Sequence, residues 1–232
     1  MKIGLLVCGY AVPEVAKTKG EYDQWFMDLL AGNGFSFESY FVVDMKFPDD
    51  VHDCDGWLIS GSKHGVYEDH AFIPKLEDFV RKAYAAKVPM VGICFGHQII
   101  AQALGGKVEK FQGGHALGRQ EYDYEGFGKV AINAWHGDQV LEPPKDARVI
   151  ASNDFCKNAA MVYGDTAFTI QPHPEFSNDV VQQYIPLRRN PDIYDDAVMD
   201  AALDKTTGPT DAKLMAGEIV KFFKQPRKVM DD

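Results

Sequence analysis

Residues 88–98 read Val88-Pro89-Met90-Val91-Gly92-Ile93-Cys94-Phe95-Gly96-His97-Gln98, and this stretch decides the fold. Residues 88–94 form an unbroken apolar run, the mark of a strand covered on both faces. Residues 95–104 carry helical spacing and are closed by Gly105-Gly106. A buried strand that passes straight into a helix is the repeating unit of a parallel sheet with helices on both faces. The unit recurs upstream. Residues 3–8 and 55–60 read as strands, as do residues 35–43. Residues 22–31 and 74–86 have the apolar spacing of amphipathic helices, the first stopping at Gly32-Asn33-Gly34. Residues 11–20 are polar and read as a flexible connection that is either a lid or a plain loop. From about residue 107 to 170 the pattern becomes short β-like segments (129–134, 147–152, 159–162 and 167–171) separated by turns, which predicts a mixed or antiparallel extension of the sheet. From residue 178 the chain is polar and helical, including 211–223, with Pro186, Pro191 and Pro209 as breaks and Gly208-Pro209 as the best linker candidate.

The chain has 232 residues, within the range of one domain or a domain with a small appendage. The expected organisation is one domain over residues 1–232, with a core of about 1–180 and a helical extension of about 178–232. Lys plus Arg is 24 and Asp plus Glu is 34, a formal charge of −10. That balance argues against nucleic acid or an anionic membrane as partner, since neither meets a net basic field. The four cysteines, Cys8, Cys54, Cys94 and Cys156, lack C-x-x-C spacing, which argues against a zinc ribbon or a thioredoxin-type motif. Scattered in an acidic chain, they fit a reducing cytoplasm. The apolar run near the start is shorter than a secretory h-region of about 7–15 residues. No stretch approaches the ~20 apolar residues of a membrane span.

The chemistry centres on Cys94. Gly92 and Gly96 flank it at the spacing of the nucleophile elbow, where small residues permit a sharp strand-to-helix turn. The helix N-terminus behind it favours a thiolate. The N–H of Phe95 points toward the same place and can bind an oxyanion. The competing explanation is a buried structural cysteine with glycines serving only helix–sheet packing; Cys8, Cys54 and Cys156 are read that way. A thiolate needs a proton carrier. Of the seven histidines, His173 in Gln171-Pro172-His173-Pro174-Glu175 follows a strand and so falls at a carboxyl end of the sheet, the edge where open α/β sheets bind ligands. Glu175, two residues on, can hold its tautomer. His97 is assigned to packing or support of the site, His64 to a solvent-facing loop ahead of a place in the pocket lining, and Arg119 to the surface ahead of a contact with a substrate carboxylate. Gly113–Arg119 lacks the ending of a phosphate loop. No metal cluster is expected, because no histidines fall at i, i+4 in a helix.

With the GICFGHQ elbow and the QPHPEF segment both in view, the sequence resembles the class I glutamine amidotransferases, particularly stand-alone GMP-synthase-like members and plant γ-glutamyl peptidases. The resemblance spans about residues 1–180. It implies a flavodoxin-like three-layer α/β fold with a central, mainly parallel sheet. It also implies a Cys-His-Glu triad that hydrolyses glutamine or a γ-glutamyl amide through a γ-glutamyl thioester. By position the triad is Cys94, His173 and Glu175. The glycine-rich oxyanion loop matches Gly61 and Ser62, with Ser62 where the family has a second glycine, and Phe95 completes the oxyanion hole. Gln98, His136 and Asp138 match the substrate-contacting positions, with Asp138 facing the α-amino group. Pro172 stands where the family has phenylalanine. The reaction so implied requires no metal or organic cofactor. The partner is a small γ-glutamyl substrate, with or without a separate synthetase chain that receives ammonia. A catalytically inactive binding or regulatory module is the alternative outside enzymology, and the intact Cys94, His173 and Glu175 set stands against it.

Overall fold

The computed structural model describes residues 1–227. Residues 228–232, the end of the expected C-terminal extension, lie outside the described residues. The chain runs β1 (Lys2–Leu6), α1 (Pro13–Lys19), α2 (Tyr22–Leu29), β2 (Ser36–Tyr40), β3 (Gly56–Ile59), α3 (Phe72–Ala85), β4 (Met90–Ile93) and α4 (Phe95–Ala103). It continues through β5 (Lys107–Lys110), β6 (Ala116–Tyr124), β7 (Gly128–His136), β8 (Asp138–Glu142), β9 (Arg148–Ser152), β10 (Ala160–Tyr163) and β11 (Ala167–Ile170). Three helices follow: α5 (Asn178–Arg188), α6 (Asp196–Lys205) and α7 (Ala212–Lys224).

The main sheet has nine strands in the order β2-β1-β3-β4-β11-β10-β9-β6-β7. From β2 to β11 neighbours are parallel, and from β11 to β7 they are antiparallel. A separate antiparallel pair joins β5 to β8. Side chains alternate across the sheet with period two. Ile3, Leu5, Leu58, Val91 and Ile93 pack under α2, α5 and α7 on one face. Leu6, Trp57, Ile59 and Met90 pack under α3 and α4 on the other. This is the expected three-layer α/β fold. Among the described residues, no helix is long and apolar enough to cross a membrane.

Register delivers the chemistry to one edge. Ile59 pairs with Gly92 and Ile170 with Ile93, so β3, β4 and β11 end side by side. Their continuations are Ser60-Gly61, Cys94 and Gln171-Pro172-His173. Backbone bonds stitch the junctions: Cys94 N–H donates to Ile170 O at 2.9 Å and Gly96 N–H to Ser60 O at 3.1 Å.

Several expectations need correction. Residues 13–19 form α1 rather than a loop, anchored by the buried Val15. Pro186 lies within α5 instead of ending it; having no N–H, it leaves the carbonyl of Gln182, one turn earlier, without its intrahelical donor. The 107–170 region also holds β5, β6 and β8, and β6 is among the longest strands of the sheet. Gly208 and Pro209 are not a free linker, since Asn178 Nδ2 donates to Gly208 O and Arg119 Nε to Pro209 O.

Candidate active site

Cys94 sits at the N-cap of α4 with φ 52° and ψ −101°. A non-glycine residue at positive φ costs roughly 1–3 kcal/mol and persists only where its surroundings over-determine it. Here the glycine frame does so. A Cβ on Gly92 would lie 2.4 Å from Gly96 O, and one on Gly96 would lie 2.2 Å from Ile59 O. Neither glycine can be replaced without moving backbone, and together they let helix and strands close around the elbow. Cys94 is buried, yet it lines a cavity.

His173 follows β11 and lines the same cavity as Cys94, whose charge acts on its ring. Its Nδ1 donates to Glu175 Oε1 at 2.6 Å. Both side chains are almost wholly buried. Burial by itself pushes the His173 imidazolium down; the facing Glu175 and Cys94 outweigh it and raise the group to about 10. Phe176 stacks on the imidazole, with ring centroids 4.0 Å apart and planes 19° from parallel. Asn133 on β7 fixes the segment. Its carbonyl accepts from His173 N–H at 2.7 Å, and its Nδ2 donates to Phe176 O at 2.9 Å and Asn178 Oδ1 at 3.0 Å. The sequence reading did not single out Asn133. Its signal was an amide in the middle of the apolar run of β7, where a polar side chain needs a stated partner.

Gly61 packs against the pair. A Cβ there would lie 2.8 Å from His173 Cε1 and 3.7 Å from Cys94 Cβ, so glycine is required for the histidine to reach the thiol. Ser62 lines the cavity, and its Oγ accepts from His64 N–H at 3.2 Å. Phe95 is the first residue of α4, and an N–H in that position has no intrahelical acceptor.

The three expected substrate-contacting residues also converge on this cavity, which has a volume of about 480 Å³. Gln98 is buried, and its Nε2 already donates to Asp138 O and to Gln171 Oε1, both at 3.0 Å. Its carbonyl oxygen is therefore the end available to a ligand. His136 is buried and its Nδ1 meets Asp138 O at 3.1 Å; burial lowers it to about 3, so it is neutral. Asp138 is half-buried, and desolvation raises its carboxyl above the usual range. Tyr67 Oη donates to it at 3.1 Å. A carboxylate held this way gains from a cation. Lys110 and Arg188 also line the cavity, and sequence reasoning assigned neither to it. Arg188 lies over the rings of Tyr184 and Trp135, 4.7 and 5.7 Å from their centroids. Tyr184 in turn packs on Phe176, the ring stacked on His173.

His97 is a packing residue, as expected, with Nδ1 2.8 Å from Thr169 Oγ1. Arg119 binds Pro209 O and Glu121 and does not line the cavity. His64 is partly buried and lines the cavity instead of facing only solvent.

Comparison with known proteins identifies the family. The family model for glutamine amidotransferase class-I matches residues 30–187. Gamma-glutamyl peptidase 3 of Arabidopsis thaliana is 33% identical over 74% of this chain and 75% of its own. A glutamine-hydrolyzing GMP synthase subunit of Sulfolobus acidocaldarius is 32% identical over 67% of this chain and 85% of its own. A crystal structure of a glutamine amidotransferase from Thermotoga maritima has the same fold, with a TM-score of 0.75 at 18% identity, covering 96% of this chain and 98% of that one. The chain belongs to the class I glutamine amidotransferase family.

Proposed function

We propose that this family member is a self-sufficient γ-glutamyl hydrolase that uses Cys94 as nucleophile, His173 as acid and base, and Glu175 as the orienting carboxylate. The thiolate of Cys94 attacks the γ-carbonyl. N–H groups of Phe95 and of the Gly61–Ser62 turn hold the oxyanion, an effect worth about 3–4 kcal/mol per donor in other hydrolases. His173, raised to about 10, carries its proton at neutral pH and delivers it to the leaving amine as the C–N bond breaks. The γ-glutamyl thioester remains. Neutral His173 then takes a proton from water, hydroxide adds to the thioester carbonyl, and the thiolate leaves with glutamate released. Asp138 takes the substrate ammonium, and Lys110, close enough to act on Asp138, takes the α-carboxylate. The whole chain acts as one domain. Its four free, buried cysteines suit a reducing cytoplasm.

The observation that carries this is the charge set around one cavity: Asp138 and its strand partner Lys110, with Arg188 as a second cation in the same lining. Glutamine has one ammonium and one carboxylate. A γ-glutamyl peptide adds a second carboxylate on the leaving amine, and Arg188 is a second cation in the lining to meet it. The reading therefore favours a peptide over free glutamine. Similarity to a component of GMP synthase supports the second reading, in which ammonia passes to a synthetase on another chain.

The test is amine release by the purified protein alone from glutamine and from a panel of γ-glutamyl peptides. The expected result is a preference for a peptide, reduced by about 10⁴-fold or more in Cys94→Ala. Release from glutamine alone, or only with an added synthetase, gives the second reading. Full activity in Cys94→Ala contradicts both.

A further inference from the structure

The loop from Ser60 to Ala71, between β3 and α3, gathers three side chains that the proposed chemistry does not use. His64 Nδ1 lies 3.2 Å from Glu68 Oε2, and His70 Nε2 lies 2.8 Å from the same oxygen. The two imidazole centroids are 3.9 Å apart. One donor atom from each residue falls within 4.8 Å of the other two. We propose that His64, Glu68 and His70 form a binding site for a divalent cation of zinc type on the wall of the Cys94 cavity.

Two nitrogens and one carboxylate oxygen are the donor set such an ion takes, and three protein ligands leave a further position open. A neutral imidazole carries its proton on either ring nitrogen. Turning Nδ1 of His64 and Nε2 of His70 from donors to Glu68 into metal ligands therefore needs only a tautomer change at each ring. Burial holds His64 below its usual range and so in the neutral form. Hydrogen bonds hold Glu68 ionised, the largest involving Gly65. Lys63 is the cation that opposes the site, and its charge acts on His64.

The loop is already folded into the required shape. Glu68 N–H donates to Gly65 O, His70 N–H to Glu68 O, and Ile73 N–H to His70 O, each at 3.0 Å. Val66 and Phe72 anchor it in the core, Gln102 Nε2 donates to Val66 O at 2.8 Å, and Phe72 packs on both imidazoles. In the spacing H-x₃-E-x-H a turn rather than a helix closes the triangle. His64 and Glu68 also line the cavity that holds Cys94. A cation bound to them would face whatever occupies that cavity and offer its open position to an anionic group.

The test is zinc titration of the full chain by calorimetry in a Cys94→Ser background, which removes the thiol as a competing ligand. One zinc per chain is expected. His70→Ala and Glu68→Gln should each weaken it at least tenfold, while the exposed His52, outside the cavity lining, should not matter when changed to alanine. Cobalt should give the visible bands of a nitrogen and oxygen site without a thiolate charge-transfer band. No binding in Cys94→Ser, unchanged affinity in both His70→Ala and Glu68→Gln, or equal weakening by His52→Ala would overturn the assignment. Because the readout is metal affinity, it stands apart from any failure of the γ-glutamyl activity.

Discussion

The floor and the rim of the cavity are built in opposite ways. At the floor, Cys94, His173 and Glu175 are buried, sit at the ends of adjacent parallel strands and are locked by backbone contacts with almost no slack. At the rim, Lys110 comes from the short two-stranded sheet, Arg188 from the end of α5, and Tyr67 and His64 from the loop after β3. Lys110 and Tyr67 are exposed. A floor pinned by sheet register has little freedom to vary, because a displaced Cys94 would lose its place beside His173 and the Phe95 N–H together. A rim carried on loops and helix ends can change its charges without touching the sheet. The floor should therefore set the reaction and the rim the substrate.

The sharpest way to break that division is Glu175→Gln. The amide keeps the shape and can still accept from Nδ1, but it removes the charge facing the imidazole. The expected loss in kcat is about 10⁴-fold, by the precedent of triad carboxylate-to-amide changes. The pH dependence adds a second readout. His173 is raised from 6.5 to about 10. A group raised on folding stabilises the native state fully below its unfolded value and loses that contribution as pH rises through the folded one. Wild-type stability should thus fall relative to Glu175→Gln between about pH 6.5 and 10, and the alkaline limb of kcat/KM should move to lower pH in the variant. A small loss in kcat with an unmoved limb would detach Glu175 from the floor.

A smaller effect is expected at the rim. Arg188→Ala should raise KM for a γ-glutamyl peptide about tenfold, roughly 1.4 kcal/mol of binding, and leave glutamine hydrolysis within about twofold. Equal losses on both substrates would mean that Arg188 supports the floor through Tyr184 and Phe176, and the division between floor and rim would fail at that residue.

The same contrast governs what the sequence disclosed. The floor was legible because its constraints are local. A continuous apolar run marks a doubly covered strand, and a glycine two positions either side of Cys94 marks a close approach, where an added Cβ would fall 2.4 and 2.2 Å from a carbonyl oxygen. Asn133 escaped notice because its role depends on three partners lying 40–45 positions away in the chain. β6 was missed because its charged residues face out along a strand of the antiparallel half, which blurs the apolar run. The short helix α1 was missed because it buries chiefly Val15. Arg188 and Lys110 gave no signal, since a solvated arginine and a cavity arginine look alike in sequence. The His64, Glu68 and His70 cluster carries no such signal, since its two histidines are six positions apart and a turn rather than a helix brings them together.

The central claim is that Cys94 carries the γ-glutamyl group. The most direct measurement is intact-protein and peptide mass spectrometry after rapid acid quench of the protein mixed with a γ-glutamyl substrate. The account predicts the added mass of one γ-glutamyl group on the peptide containing Cys94, released by hydroxylamine as a thioester should be and absent in Cys94→Ala. Turnover of the substrate with the adduct on another residue, or with sustained activity in Cys94→Ala, would contradict it.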